Sequence, residues 1–450
     1  MQRLILLFLA VFISSLAFSQ ALQLSLSQAK QMAIDSSYAT RDARYNIEKK
    51  KQEVREVLSI GLPQINGSAE LQNFFVVPKQ QIPTDGFPVG GGGENGETPD
   101  FITAQFGTDY TMSAGITASQ LIFDGTYIIG LKASKVVVKL TEHQKDKSIQ
   151  EVKLSVAEAY HSVLLAQANL EILQENLDNI NATLKETQAL YDNGLTEEQD
   201  VDQLLLNKNQ IQVNLDNTEA VLEISKRSLN FIMGIPIETN VELTDKIEDL
   251  VQLSNNESYL TREPQLETHP DLMLAKTNYE VANLQLKGDK AAYYPQLSAF
   301  YNYSQNAQRN EFNFFDTDEP WFPTSLLGFT LNVPIWSSFQ RESRVQQSEI
   351  GIMQSELRLQ QTRENLKLNV QVQRNNYQNA LRVWDNQKNS VELAQRILDK
   401  TTIKYSEGVA SSFELNVSQS QLLNEQTNYV RAAYELLTAK QELDRALNIF

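Results

Sequence analysis

The sequence predicts a mainly α-helical chain with a minor β component, built from two similar halves. Three observations predict this class. Residues 131–193 and 352–407 contain neither Gly nor Pro. Four short segments alternate between apolar and polar residues. A turn-like stretch occurs twice, as LYDNGLTEEQDV at 190–201 and as KYSEGVASSFEL at 404–415. Each half is therefore expected to carry a short helix, a strand pair, a long helix, a tight turn and a returning helix.

The two segments without Gly or Pro are predicted to be very long helices. A helix over residues 131–193 would measure ~95 Å, which is more than a globular core requires. Apolar residues in it recur at steps of four and three, and further apolar residues widen this stripe. That pattern favours a helix with neighbours on two sides, as in a ring of helices, and a plain two-helix coiled coil is the alternative. The stripe consists of Val152, Val156, Ala159, Val163, Ala166, Leu170, Leu173, Leu177, Ile180 and Leu184.

Each repeated stretch is predicted to form a tight turn between two helices. Gly194 and Gly408 fit the ends of the long helices, because glycine readily adopts the left-handed conformation found there. A Ser or Thr followed three residues later by Glu or Gln then marks the start of the next helix. The returning helices are expected over residues 197–232 and 412–448. The two capping pairs are Thr196 with Gln199 and Ser411 with Glu414.

The alternating segments, residues 65–72, 112–119, 296–304 and 327–333, are predicted to be strands with one apolar face. The stretch PKQQIPTDGFPVGGGGENGETPD between the first pair is expected to be a long flexible loop. Four such strands cannot close a barrel, since about eight are needed. They therefore form either a soluble sheet or a barrel pooled from several chains. Three chains would supply twelve strands.

Composition excludes several classes of function. A formal net charge of -17 argues against nucleic acid as a partner. The chain has no Cys, which excludes disulfides and zinc–thiolate sites. His143, His161 and His269 are too scattered to suggest a metal site. No residues match the pattern of a catalytic nucleophile with its general base. The stretch GGGGENG does not lie between a predicted strand and a predicted helix, as a phosphate-binding loop would. We therefore expect no enzyme, no cofactor and no bound metal.

The N-terminal stretch MQRLILLFLAVFISSLAFSQ has the pattern of a signal peptide, with cleavage expected before Gln20. A membrane anchor is the alternative, but the apolar run is short. The expected organisation is a signal peptide at 1–19, a first repeat at 20–233, a linker at 234–268 and a second repeat at 269–450.

Several motifs together resemble the TolC-like family of outer-membrane efflux proteins. They are LSLSQAKQMAIDSS at 24–37, HPDL at 269–272, the junctions LPQI and YPQL, and the two glycine turns. The resemblance implies a homotrimer in the outer membrane, with four strands per chain in a twelve-stranded β-barrel. A long α-helical barrel would continue it into the periplasm, with the linker in an equatorial region. Such proteins are passive exit ducts of tripartite efflux pumps or type I secretion systems, with a periplasmic adaptor and an inner-membrane transporter as partners.

The resemblance also implies roles for residues at the turns. Members meet the adaptor at the positions of Gly194, Leu195, Thr196, Gly408, Val409 and Ala410. Members also close the periplasmic end through a carboxylate–tyrosine link, at the positions of Asp200 and Tyr405. Glu414 matches a carboxylate that faces the pore constriction, although helix capping with Ser411 explains it equally well. Val417 stands where some relatives carry a second carboxylate, and Ala410 stands where some carry an Arg. The gate is therefore expected to close less tightly or through different contacts.

A structural coiled-coil spacer or surface stalk is the alternative function. It would explain the long helices but neither the paired strands nor the duplication. Drugs, metals and proteins all fit as cargo, because the transporter mostly selects it.

Overall fold

A computed structural model describes residues 21–83, 100–254 and 258–450. The predicted signal peptide and most of the first interstrand loop lie outside the described residues. The chain divides into two compact units. Unit 1 comprises the chain up to Lys50, Val138–Tyr279 and Met353–Phe450, and unit 2 comprises Lys51–Val137 and Glu280–Ile352.

The helices and strands of the described residues follow one another in this order: β1 Leu22–Leu24, α1 Leu26–Ser36, α2 Tyr38–Ile60, β2 Gln64–Asn73, β3 Lys79–Pro83, β4 Phe101–Gln105, β5 Tyr110–Phe123, α3 Gly125–Asp192, α4 Glu198–Met233, β6 Val241–Leu243, α5 Ile247–Ser254, α6 Ser258–Thr261, a 3₁₀ turn Leu266–Thr268, α7 Pro270–Ala291, β7 Gln296–Arg309, β8 Phe322–Asn332, α8 Gln340–Ser406 and α9 Ser412–Leu447.

The two long helices and their returning partners are confirmed. Both long helices begin earlier than the stretches without Gly or Pro, because α3 includes Gly130 and α8 includes Gly351. A single glycine inside a long helix costs only ~1 kcal/mol relative to alanine, which neighbouring turns readily offset. We call α3 with α4 the first hairpin and α8 with α9 the second hairpin.

Unit 2 contains the four predicted strands in one antiparallel sheet, in the order β2-β5-β7-β8. Gly115 of β5 pairs with Ser68 on one side and with Ser304 on the other. Strands β2 and β8 are the edges, and all ten residues of β2 are exposed. The four strand predictions are confirmed, and each strand is longer than its alternating core.

The first interstrand segment is not wholly a loop, so that expectation was wrong. Strand β3 lies within it and pairs antiparallel with β4, with Ile82 opposite Ile102. A second pair, parallel β1 and β6, was not predicted at all. Three residues per strand are too few to display a period of two, so only the pairing reveals them.

Unit 1 is held together by an apolar core shared by several helices. Seven of the ten stripe residues predicted on α3 are buried and the other three are half-buried. The core also contains Ala29 and Ala33 of α1 and Leu436 and Leu447 of α9. The buried Tyr160 hydroxyl lies 2.9 Å from both the Leu24 carbonyl oxygen and the Asp245 carboxylate. Among the described residues, no helix is both long and apolar enough to cross a membrane.

Candidate gate and docking site at the two helical turns

The two turns share one backbone construction. In the first, Gly194 has φ 73° and the Leu195 amide donates to the Leu190 carbonyl over 2.9 Å. In the second, Gly408 has φ 70° and the Val409 amide donates to the Lys404 carbonyl over 2.8 Å. This bond across five residues, with a glycine at positive φ, is the Schellman helix end. The predicted helix stops are therefore confirmed.

Each turn presents an apolar side chain to solvent. Leu195 is 73% exposed and Val409 is 75% exposed. Thr196 and Ala410 beside them are half-buried. The six residues predicted to meet an adaptor thus lie in two tight turns, each with one exposed aliphatic side chain next to a glycine.

The start of α9 has the predicted capping box. The Ser411 amide donates to the Glu414 carboxylate over 3.1 Å, and the Glu414 amide donates to the Ser411 hydroxyl over 3.2 Å. Glu414 is therefore a capping residue in this structure. Its side chain is also exposed, so its charge remains available to solvent.

The start of α4 differs from the prediction, which paired Thr196 with Gln199. The N-cap is Glu197, and the residue that returns to it is Asp200. The Glu197 amide donates to the Asp200 carboxylate over 3.4 Å, and the Thr196 hydroxyl donates to the same oxygen. The helix starts one residue later than predicted, because an aspartate in the first turn satisfies free amides and favours the helix dipole.

Asp200 also connects the two hairpins. Its other carboxylate oxygen accepts a hydrogen bond from the hydroxyl of Ser412, the first residue of α9. The hydrogen bonds from Ser412 and Thr196 lower the pKa of Asp200, although partial burial acts in the opposite direction. Ser412 is only 5% exposed. The carboxylate is therefore held as an anion by neutral donors.

Tyr405 makes a separate connection between the same hairpins. Its hydroxyl lies 2.9 Å from the hydroxyl of Thr187, a fully buried residue of α3. The structure thus brings both predicted gate residues to the junction of the hairpins, but each has a different partner. The hydrogen bonds of the described residues include none between Asp200 and Tyr405. Sequence reasoning missed Ser412 and Thr187, because no local pattern marks a hydroxyl that pairs with a residue more than 200 positions away.

Two amide contacts and a cavity lie further along the same helices. Asn207 donates to Asn416 over 2.7 Å, and Asn176 donates to Gln426 over 3.3 Å. A cavity of about 490 Å³ lies between the four helices. Its lining is mostly amide, hydroxyl and aliphatic, and one lining atom, the Gln419 side-chain carbonyl oxygen, is buried without a hydrogen-bond partner.

The histidines do not form a ligand cluster. Within the described residues, no group of three His, Asp or Glu side chains is arranged to hold a metal ion. His161 is fully buried in the core of unit 1, and neither ring nitrogen has a hydrogen-bond partner. Its burial, together with the nearby Lys30 and Lys440, lowers its pKa from 6.5 to about 3.

Comparisons with known proteins agree on the class of this chain. Residues 29–234 and 263–448 match the family described as outer membrane efflux protein. The outer membrane protein TolC of Vibrio cholerae is 21% identical over 348 residues, covering 75% of this chain and 76% of TolC.

Two solved structures share the fold. CusC, described in work on folding and transmembrane channel formation, is 17% identical with a TM-score of 0.69, covering 94% of this chain and 91% of CusC. The outer membrane protein VceC of Vibrio cholerae is 16% identical with a TM-score of 0.66, covering 94% of this chain and 95% of VceC. The predicted fold class, with its internal duplication and four barrel-type strands per chain, is confirmed. The chain therefore belongs to the outer membrane efflux protein family.

Proposed function

We propose that three copies of this chain form the exit duct of a tripartite efflux pump or of a type I secretion system. As a member of the outer membrane efflux protein family, the chain is an outer-membrane channel protein that extends into the periplasm. The finer proposal is that the duct conducts its cargo passively, without catalysis. The family match leaves no support for a coiled-coil spacer or surface stalk.

The observation that carries the proposal is the open-edged sheet of unit 2. Strands β2 and β8 each have one strand partner in the described chain, and β2 is exposed along its whole length. Open sheet edges are not stable in lipid, and four strands are too few to close a barrel. Pairing of β8 in one copy with β2 in the next would remove every edge. Three copies give the twelve strands of the proposed barrel.

The proposed organisation follows the two repeats. Residues 1–19 are removed as a signal peptide, residues 20–233 and 269–450 form the repeats, and residues 234–268 form the equatorial linker. The four helices of the two hairpins, taken from three copies, would build the helical barrel. Its periplasmic end would then carry six turns.

Those six turns are proposed to dock a periplasmic adaptor, which connects the duct to an inner-membrane transporter. The contact residues would be Gly194, Leu195 and Thr196 in the first turn, and Gly408, Val409 and Ala410 in the second. The exposed Leu195 and Val409 side chains support this, since apolar groups at a rigid turn lose little conformational freedom on binding.

The same end is proposed to hold the gate, formed by Asp200, Tyr405 and Glu414. Asp200 and Tyr405 link the two hairpins within the chain. Glu414 caps α9 and keeps an exposed carboxylate, so three copies would place three negative charges around the mouth. Such a ring favours cations over anions.

The duct is tested by imaging the detergent-purified mature protein and measuring its conductance in planar bilayers. We expect a hollow cylinder longer than ~120 Å, given ~95 Å of helix and a membrane-crossing barrel, with discrete conductance steps. Solid rods without conductance would contradict the proposal and restore the spacer.

The docking surface is tested with Leu195→Glu and Val409→Glu, by measuring capture of the cognate adaptor on the purified protein. Both changes should weaken capture and leave conductance intact. The matched control is Leu253→Glu, because Leu253 is also 75% exposed but lies in α5, away from the turns. Equal loss in all three variants would contradict a role for the turns.

A further inference from the structure

The two hairpins meet near their turns through polar pairs, which we call the tip junction. It consists of Asp200 with Ser412, Thr187 with Tyr405, and Asn207 with Asn416. Each pair joins one residue of the first hairpin to one residue of the second. These hydrogen bonds must therefore break if the hairpins separate at this end.

The interior of the first hairpin is packed through apolar side chains rather than through polar pairs. There α3 and α4 pack through an apolar cluster formed by Leu173, Leu177, Ile180, Leu204, Ile211 and Leu215. Apolar burial holds two helices together without directional contacts. The tip junction adds a few directional hydrogen bonds between the two hairpins, beside a cavity of about 490 Å³.

Within the junction, the pair of Asp200 and Ser412 is the strongest by chemistry. It joins an ionised carboxylate to a hydroxyl, and such charge-assisted bonds are about twice as strong as neutral ones. Ser412 is buried, so water does not readily replace its hydroxyl. Asp200 already accepts from Thr196 and from the Glu197 amide on its other oxygen. Its orientation toward α9 is therefore fixed from within its own turn.

Tyr405 does not compete for this carboxylate, because its hydroxyl pairs with Thr187. We propose that Ser412 is a positioning residue of the gate, and that the link between Asp200 and Ser412, rather than one between Asp200 and Tyr405, keeps the two hairpins together in the closed state. This inference rests on the proposed gate at the turns. It adds a residue that the resemblance does not assign and changes the partner of Asp200.

A double-mutant cycle distinguishes the two pairings. Ser412→Ala, Asp200→Ala and the double variant are compared by open probability in planar bilayers, after each trimer is purified by gel filtration. Each single change should raise the open probability about tenfold or more, as expected for a lost charge-assisted bond. The double variant should exceed the larger single effect only slightly, because both changes remove the same contact.

A second cycle uses Tyr405→Phe with Asp200→Ala. Since Tyr405 pairs with Thr187, the two effects should multiply, as they do for independent contacts. Ser412→Thr, which keeps the hydroxyl, should restore the closed channel. Ser412→Cys, a weaker donor of similar size, should give an intermediate open probability.

Ser418→Ala is the matched control, because Ser418 is also a buried serine of α9 but donates only to the Leu415 carbonyl in its own helix. It should leave the open probability unchanged. The pairing would be overturned if the effects of Ser412→Ala and Asp200→Ala on open probability multiplied. It would also be overturned if Asp200→Ala opened the channel while Ser412→Ala had no effect. Unchanged open probability in Asp200→Ala, Tyr405→Phe and Glu414→Gln would instead overturn the proposed gate itself.

Discussion

The two hairpins are repeats with the same turn but different interiors. Gly194 and Gly408 lie 214 positions apart, so positions of the first hairpin can be compared with those of the second by adding 214. The apolar cluster of the first hairpin is Leu173, Leu177, Ile180, Leu204, Ile211 and Leu215. The corresponding residues of the second are Gln387, Val391, Ala394, Ser418, Glu425 and Tyr429.

At these positions the second hairpin has polar or smaller side chains in place of several of the aliphatic residues. Gln387 and Glu425, which replace two aliphatic residues, hydrogen-bond to each other instead. Ala394 replaces the almost fully buried Ile180. At these positions the first hairpin is therefore stabilised by apolar burial, whereas the second uses a polar pair and a smaller side chain.

The largest expected effect comes from making the first hairpin resemble the second. Ile180→Ala should lower the local free energy of opening by about 2–5 kcal/mol, the usual cost of a buried large-to-small change. Amide hydrogen exchange of residues 173–184 measures it. The control is Val391→Ala, at a half-buried position of the second hairpin, which should cost clearly less. Equal costs would mean that the two interiors are equivalent.

A buried histidine of the first hairpin, which has no counterpart in the second, should make the stability of the protein depend on pH. His161 of α3 is buried with its pKa lowered to about 3, whereas the corresponding Asn375 of α8 is exposed and does not titrate. The unfolded chain binds a proton near pH 6.5 and the folded chain does not, so stability falls as the pH falls from about 6.5 towards 3. His161 should contribute about 1.4 kcal/mol per pH unit to this slope.

This slope is measured from urea unfolding of the detergent-solubilised protein, followed by circular dichroism between pH 7 and 5. His161→Leu should remove about 2 kcal/mol of the loss between pH 6.5 and 5, at about 1.4 kcal/mol per unit. The window ends at pH 5 because carboxylates titrate below it. An unchanged slope would show that His161 is hydrated or already charged in the folded protein.

Breaking the hydrogen bond between Gln387 and Glu425 in the second hairpin should have a smaller effect on stability. Gln387→Leu leaves the half-buried Glu425 carboxylate without its donor and should cost about 1 kcal/mol. Adding Glu425→Leu restores the apolar pair of the first hairpin and should recover that cost. Hydrogen exchange of α8 and α9 measures both variants. A double variant less stable than Gln387→Leu alone would mean that Glu425 has another stabilising role.

The helix caps give expected effects no larger than that of the polar pair. Ser411→Ala removes the hydroxyl that accepts the Glu414 amide and should cost about 1 kcal/mol in local stability. Thr196→Ala should cost less, because Glu197 and Asp200 cap α4 without it. Exchange of the first-turn amides of α9 and α4 gives the comparison. A larger cost for Thr196→Ala would restore Thr196 as the principal cap.

Local pattern in the sequence determined much of this protein. The stripe on α3 predicted a buried face, the two glycines predicted both turns, and the period-two segments predicted the four strands of the main sheet. Each of these depends on residues close together in the chain. The start of α4 was misplaced by one residue, because Thr196 with Gln199 has the preferred capping residues. In the structure Asp200 accepts from the Glu197 amide, while its other oxygen is held by Ser412 of the second hairpin.

Tertiary structure alone decided the contacts that join distant parts of the chain. The strands of the pair β1–β6 are too short to show periodicity, and those of the pair β3–β4 do not alternate strictly between apolar and polar residues. The partners of the two predicted gate residues, Ser412 for Asp200 and Thr187 for Tyr405, lie 212 and 218 positions away. A hydroxyl has no preferred sequence spacing to such a partner, since only the packing of one hairpin against the other brings the two groups within hydrogen-bonding distance.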